Sequence, residues 1–237
     1  MALVASDPAL ADPACEARTF EGDGFTVCAF DSRTETLRLA WTDSRGIALR
    51  SFDRLAKNLG SLTGNVRFAM NAGMFDSAGT PIGLYVENGI LRRHLNTDTG
   101  SGNFYMKPNG VFWLDADGTV HVEPTGKFPF RSTTPDWATQ SGPMLVIDNA
   151  FNPQIAADGS SRYIRNAVGV RDAYHAVFVI SDAPVSFGRL VRFLRDGLHC
   201  PDALYLDGAV SSLWNPSSGR QDEKSRLGPM VVVSNKN

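Results

Sequence analysis

The sequence predicts an α+β fold: a single domain with a large mixed or antiparallel β-sheet core and few helices. Three observations carry this. Most apolar stretches are short, and many alternate with polar residues, which is the period of a strand. They are separated by turn residues such as "ENG" and "DADG", and only two segments carry apolar residues at helical spacing.

The elements follow in order. "GFTVCAFD" (24–31) and "TLRLAWTD" (36–43) read as strands joined by a polar turn. "SFDRLAKNLG" (51–60) reads as a helix, with Phe52, Leu55 and Leu59 on one face, Ser51 as N-cap and Gly60 at the end. "VRFAMNAGMF" (66–75) is a strand entering a glycine turn. "PIGLYVENGILRRHL" (81–95) and "GVFWLDADGTVHVEP" (110–124) are hairpins. "WATQSGPMLVIDNA" (137–150) ends in a strand and an Asn-containing turn, and "RNAVGVRDAYHAVFVISD" (165–182) holds two strands. "SFGRLVRFLRDGL" (186–198) is the clearest helix, with Leu190, Phe193, Leu194 and Leu198 sharing a face under a Ser186 cap. "DALYLDGAVSSLW" (202–214) begins as a strand and breaks into a small-residue turn at Asp207. "LGPMVVVSNKN" supplies a last strand.

A chain of 237 residues, 43% hydrophobic and 20% charged, is long enough for one substantial core. Residues 15–237 form the expected domain, and Ala- and Pro-rich residues 1–14 read as a disordered tail or a signal-peptide remnant. Lys and Arg total 23 against 25 acidic residues, a net charge of −2, which argues against broad nucleic-acid binding. No apolar run is long enough for a membrane span.

There are three cysteines and no CxxC pair, so nothing points to a structural zinc site. Cys15 and Cys28 bracket a short glycine-containing loop. In an oxidising compartment a bridge there would contribute about 3 kcal/mol by loop closure, whereas in a cytosol all three thiols stay reduced. Cys200 reads as a buried thiol.

Polar residues collect just after strands, inside glycine turns: Asn71, Ser141, Arg165 with Asn166, Asp182 and Asp207. Turn chemistry alone explains any one of them, but five together point to a shared site on loops held by a sheet. Lys107 and Asn109 precede another strand. Ser211 and Ser212 lack a G-x-S-x-G elbow, and the four histidines show no spacing that pairs them with a nucleophile or a metal.

The segments "AMNAGMFDSAGTPIGLYVENG", "GNFYMKPNGVF", "QSGPMLV", "RNAVGV" and "ALYLDGAVSSLW" resemble, in order, those of the phosphodiester glycosidase family. That family includes the enzyme that uncovers mannose 6-phosphate by removing N-acetylglucosamine. Its bacterial members are mostly exported. The resemblance implies cleavage of a sugar linked through its anomeric carbon to a phosphodiester, outside the cytoplasm, in the periplasm or cell exterior. The implied partner is a sugar phosphodiester or phosphorylated glycan.

It also implies roles. Asn71 and Gly73 match the family's Asn turn, Ser141 and Gly142 its Gly-Asp-Gly-Pro-like segment, Arg165 its arginine, and Asp207, Gly208, Ser211 and Ser212 its Asp turn. Ala72 and Ala209 replace glycines, and Ser141 stands where many members carry Asp. The chemistry suits these residues: a phosphate leaving group needs neutralising more than protonating, which is work for Arg165 with help from Lys107. Asp207 would activate water or stabilise the oxocarbenium-like state, and Asp182 is a second candidate acid. No cofactor is implied; a divalent ion beside Asp207 is compatible, but no ligand spacing demands one. Loss of activity with retained folding is the expectation for Asp207→Asn and Arg165→Ala. The alternatives are a non-catalytic phosphoglycan-binding protein and a phosphodiesterase acting at phosphorus through Ser211 or Ser212.

Overall fold

The computed structural model describes residues 14–129 and 135–236. The expected tail or signal remnant over 1–14 therefore lies, except for Ala14, outside the described residues.

Three antiparallel sheets form the α+β fold. A seven-stranded sheet runs in the order Cys15–Phe20, Asp23–Asp31, His175–Ser181, Asn166–Val170, Asp202–Tyr205, Met144–Ile147, Ala150–Phe151. The first five-stranded sheet runs Arg220–Gln221, Leu213–Asn215, Val66–Asn71, Met230–Asn235, Glu35–Ala40. The second runs Ile90–Arg93, Tyr85–Glu87, Trp137–Ser141, Gly110–Leu114, Val120–Pro124. The one large sheet that the sequence suggests is thus three sheets sharing a core.

The core explains the alternation in the strands. Phe178 of the large sheet lies 5.5 Å from Phe68 of the first five-stranded sheet and 5.6 Å from Phe112 of the second, measured between ring centroids. All three rings are within 1% of full burial. The helices cover outer faces. Helix α1 (Phe52–Leu59) is capped by the Ser51 side chain, which accepts from Arg54 N, and packs Phe52 and Leu55 with Ala69, Trp214 and Val232. Helix α2 (Phe187–Arg192) is capped by Ser186 and continues as a wider π-type turn over Phe193–Gly197. It seats Leu190, Val191 and Leu194 on Val177, Val179 and Ala203 of the large sheet.

One reading gains detail and one changes. "WATQSGPMLVIDNA" ends in the expected strand, Met144–Ile147, and also holds Trp137–Ser141 in a different sheet, the two split at Gly142-Pro143, where proline has no N–H for a ladder. The segment after Cys15 is not a loop. Cys15–Phe20 pairs with Asp23–Asp31 as a hairpin at the edge of the large sheet, and a disulfide joins Cys15 to the directly opposite Cys28. Cys200 is a free, fully buried thiol, pushed up to about 12 by its burial.

Candidate active site

The site lies on the seam between the large sheet and the first five-stranded sheet. Strands Asn166–Val170 and Asp202–Tyr205 run side by side, with Ala167 opposite Tyr205. Past this pairing, Leu206 N donates to Asn166 O and Asp207 N donates to Ala72 O. The second bond fastens the Asp207 turn to the chain leaving Val66–Asn71.

Asn71 locks that junction. Its Nδ2 donates to Asp207 O at 2.8 Å, and its Oδ1 accepts from Ser212 N at 2.9 Å and from Asn166 Nδ2 at 3.1 Å. It is fully buried. Its amide atoms are therefore engaged in holding the 207–212 turn in place. Ser211 Oγ donates to Ile164 O and Asn166 Oδ1, and Ser212 Oγ donates to Val210 O.

Asp207 caps the short 3-10 turn Gly208–Val210 by accepting from Ala209 N at 3.2 Å. Desolvation pushes its carboxyl up to about 6, against the smaller lowering effect of that bond. Gly208 is required by close approach, because a Cβ there would overlap the Tyr205 hydroxyl. Ala209 is exposed, and neither Ala72 nor Ala209 has a positive φ. The alanines that depart from the family pattern therefore cost these turns no backbone freedom.

A cleft of about 380 Å³ opens beside the turn, lined by Gly208, Ala209, Asn103, Ser161, Tyr163, Arg165, Phe187 and Tyr205. Asp207 directly precedes the lining residues Gly208 and Ala209 in the chain and is not itself one of the lining residues. Arg165 is 1% exposed. Its Nε donates to Val185 O at 2.9 Å, Nη1 to the Tyr205 hydroxyl at 3.1 Å, and Nη2 to Ser161 O at 3.1 Å and Ser161 Oγ at 3.3 Å. Its guanidinium carbon lies 3.7 Å from the Phe187 ring centre. No carboxylate pairs with it among the described residues. Of its five N–H donors, one on Nη1, the end bonded to Tyr205, has no partner among the described residues. A buried permanent cation without a counter-charge is costly, and a bound anion removes that cost.

The other sequence-predicted residues are placed differently. Asp182 does not reach the cleft. It accepts from Thr26 Oγ1 at 3.0 Å and faces Arg220 at 3.7 Å. Alternation along the strand is the reason: the preceding Ser181 turns its Oγ to Arg165 N, so the next side chain leaves by the opposite face. Lys107 lines a second cleft with Asn109, Thr125 and Gln154, and its Nζ donates to Asn109 Oδ1. Asn109 is buried and donates to Phe104 O, holding the Asn103–Tyr105 turn. Gly142 lies under the same turn, where a Cβ would meet Phe104 O at 2.8 Å. These residues shape the cleft by supporting Asn103. Ser141 is fully buried, and its hydroxyl has no hydrogen-bond partner among the described residues. Gly73 donates to Thr139 Oγ1 and ties the Asn71 turn to the second five-stranded sheet.

Several cleft residues do not stand out in the sequence. Ser161, Tyr163 and Phe187 lie outside the segments that resemble the family, and Tyr205 and Asn103 lie inside such segments but read there as ordinary strand and turn residues. Asn166 sits among the turn polars, but its bond to Asn71 spans 95 residues of sequence.

The profile of the phosphodiester glycosidase family matches residues 64–233, which contain every residue lining the cleft. The chain belongs to the phosphodiester glycosidase family. It is 34% identical over 238 residues to the uncharacterized protein YigE of Escherichia coli strain K12, covering 99% of this chain and 88% of that one. Its fold is similar to that of the catalytic domain of zebrafish N-acetylglucosamine-1-phosphodiester alpha-N-acetylglucosaminidase, auto-inhibited by its pro-peptide. That likeness has a TM-score of 0.62 at 14% identity and covers 94% of this chain and 82% of that one. A putative exported protein from Burkholderia pseudomallei K96243 has a TM-score of 0.54 at 13% identity, covering 89% and 74%. In this chain the turns that carry Asn71, Arg165 and Asp207 meet at one seam, although 136 residues separate Asn71 from Asp207.

Proposed function

We propose that this protein hydrolyses a glycosyl-1-phosphodiester, with Arg165 binding the phosphate and Asp207 activating water. The observation that carries the reading is a buried guanidinium lacking a counter-charge in the cleft, together with a desolvated carboxylate on the residue directly before the lining residues Gly208 and Ala209. The phosphodiester anion compensates Arg165 through the free Nη1 hydrogen, on the side facing Tyr205 and Gly208. The sugar then lies toward Asp207. Water adds to the anomeric carbon as its proton passes to the Asp207 carboxylate. The bond from the anomeric carbon to oxygen breaks, and its electrons leave with the phosphate monoester. Because that leaving group is anionic and stable, the step needs no second carboxylic acid to protonate it. This agrees with the position of Asp182 away from the cleft.

The hydroxyls of Ser211 and Ser212 are donated to carbonyl oxygens, and among the described residues neither contacts a general base, which disfavours attack at phosphorus. The Cys15–Cys28 disulfide supports an exported protein, as does the similarity to an exported bacterial one. Hydrolysis of a glycosyl-1-phosphodiester in ¹⁸O-water tests the reaction. Label in the released sugar is expected. Label in the phosphate would mean cleavage at phosphorus, and binding without release of sugar would mean a phosphoglycan-binding protein.

A further inference from the structure

We infer that Tyr163 selects the second ester arm of the substrate, favouring a ring-bearing group over a simple alkyl one. The inference rests on the phosphodiester reading above. A phosphodiester has two arms, and the one carrying the scissile bond is directed to Asp207.

Arg165 orients the phosphate between two ends of the cleft. Its Nη1 end bonds Tyr205, whose hydroxyl abuts Gly208 beside Asp207. Its Nη2 end bonds Ser161, two residues before Tyr163. A phosphate on this guanidinium with its sugar toward Asp207 extends its other arm toward the 161–163 segment.

Tyr163 is the side chain waiting there. It is 61% exposed, the most exposed of the large hydrophobic residues among those described. Its ring centre lies 5.4 Å from the Arg165 guanidinium carbon. Its backbone is fixed: Tyr163 N donates to Val185 O, and Val185 N donates to Tyr163 O. The ring is thus held on a rigid bridge while much of its surface faces solvent. An isolated exposed tyrosine needs no explanation, but one fixed over the anion-binding group of a cleft offers a flat apolar face one bond beyond the phosphate. A sugar ring can lay its C–H face on it, and an aromatic ring can stack. A methyl group covers little of it.

The test compares kcat/KM on three substrates sharing one sugar-1-phosphate and differing in the second arm: methyl, benzyl and hexosyl. The departing phosphate monoesters differ little in leaving ability, so the arms differ mainly in what they place on Tyr163. Tyr163→Ala is expected to lower kcat/KM about tenfold on the ring-bearing esters, the size of one lost stacking contact, and to leave the methyl ester within about twofold. Tyr163→Phe should restore the ring-bearing rates. A benzyl-only or hexosyl-only effect tells an aromatic arm from a sugar arm. Equal loss on all three esters would overturn the inference and mark Tyr163 as packing support for Arg165. No loss on any would overturn it too. If the wild-type protein cleaves none of the three, the reaction reading fails first, and this inference with it.

Discussion

Asp207 joins two properties that oppose each other. Burial holds its carboxyl near 6, above the ordinary 3.8. The folded state therefore binds the proton more tightly than the unfolded chain does. Stability falls as pH rises from about 4 through about 6, and the full penalty stands at neutral pH. Asp207→Asn removes the charge and keeps an oxygen for Ala209 N. The variant should gain stability, on the order of 2 kcal/mol at pH 7 from a shift of about two pK units, and lose activity about 100-fold or more. Thermal unfolding at pH 7 and pH 4 checks the first half: the gain should shrink at pH 4. In the wild type, kcat/KM should rise with pH through about 6, because the base works ionised. A profile that falls through that range would make Asp207 an acid. Asn71 behaves differently, since its amide binds the fold itself. Asn71→Ala orphans Ser212 N and Asp207 O in a buried place and should cost about 2–4 kcal/mol, read as a lowered midpoint in urea.

At the scale of elements, the Arg165 segment is both structure and site. The sequence reading expects Arg165→Ala to stay folded. The geometry says otherwise, because the side chain satisfies Val185 O and Ser161 O and packs on Phe187. Arg165→Ala leaves a cavity and two unsatisfied carbonyls and should unfold at a clearly lower temperature. Arg165→Lys keeps a charge and fits less well on a stacked, multiply bonded site. It should retain the fold by circular dichroism while weakening binding of inorganic phosphate. Elements with a strong period were legible beforehand: α1, the α2 region and the two hairpins all stand where their apolar spacing puts them. Cys15–Phe20 was not, because its side chains are mostly exposed and its place comes from an edge pairing and a disulfide. Leu213–Asn215 is three residues long, too short to carry a period. The site divides the same way. Asn71, Arg165 and Asp207 show as polar residues ending apolar strands. Asn166 shows there too, but its bond to Asn71, 95 residues away, does not, and Tyr205 joins the candidate site only through a contact 40 residues away, which sheet packing creates and no local pattern encodes.

The whole molecule adds a constraint that no single sheet has. The site draws Asn71 from one sheet and Asn166, Arg165 and Asp207 from the end of another, and Gly73 ties it to the third. The three sheets meet on Phe178, so loosening any one of them disturbs the seam. Activity and global structure should therefore be lost in one transition. The tryptophans make this measurable. Trp113 and Trp137 lie in the second five-stranded sheet and Trp214 in the first, while the fourth, Trp41, directly follows strand Glu35–Ala40. The large sheet carries none, so tryptophan fluorescence reports the two smaller sheets and far-ultraviolet circular dichroism reports all three. In urea the two signals and residual activity should share one midpoint. Phe178→Ala should lower that midpoint by the equivalent of about 3–5 kcal/mol, the usual cost of deleting a buried aromatic ring. It should move all three signals together, because the ring it removes belongs to the packing of every sheet. A fluorescence change that lags behind circular dichroism would show that the smaller sheets unfold separately, and the seam would then be an interface between independent units.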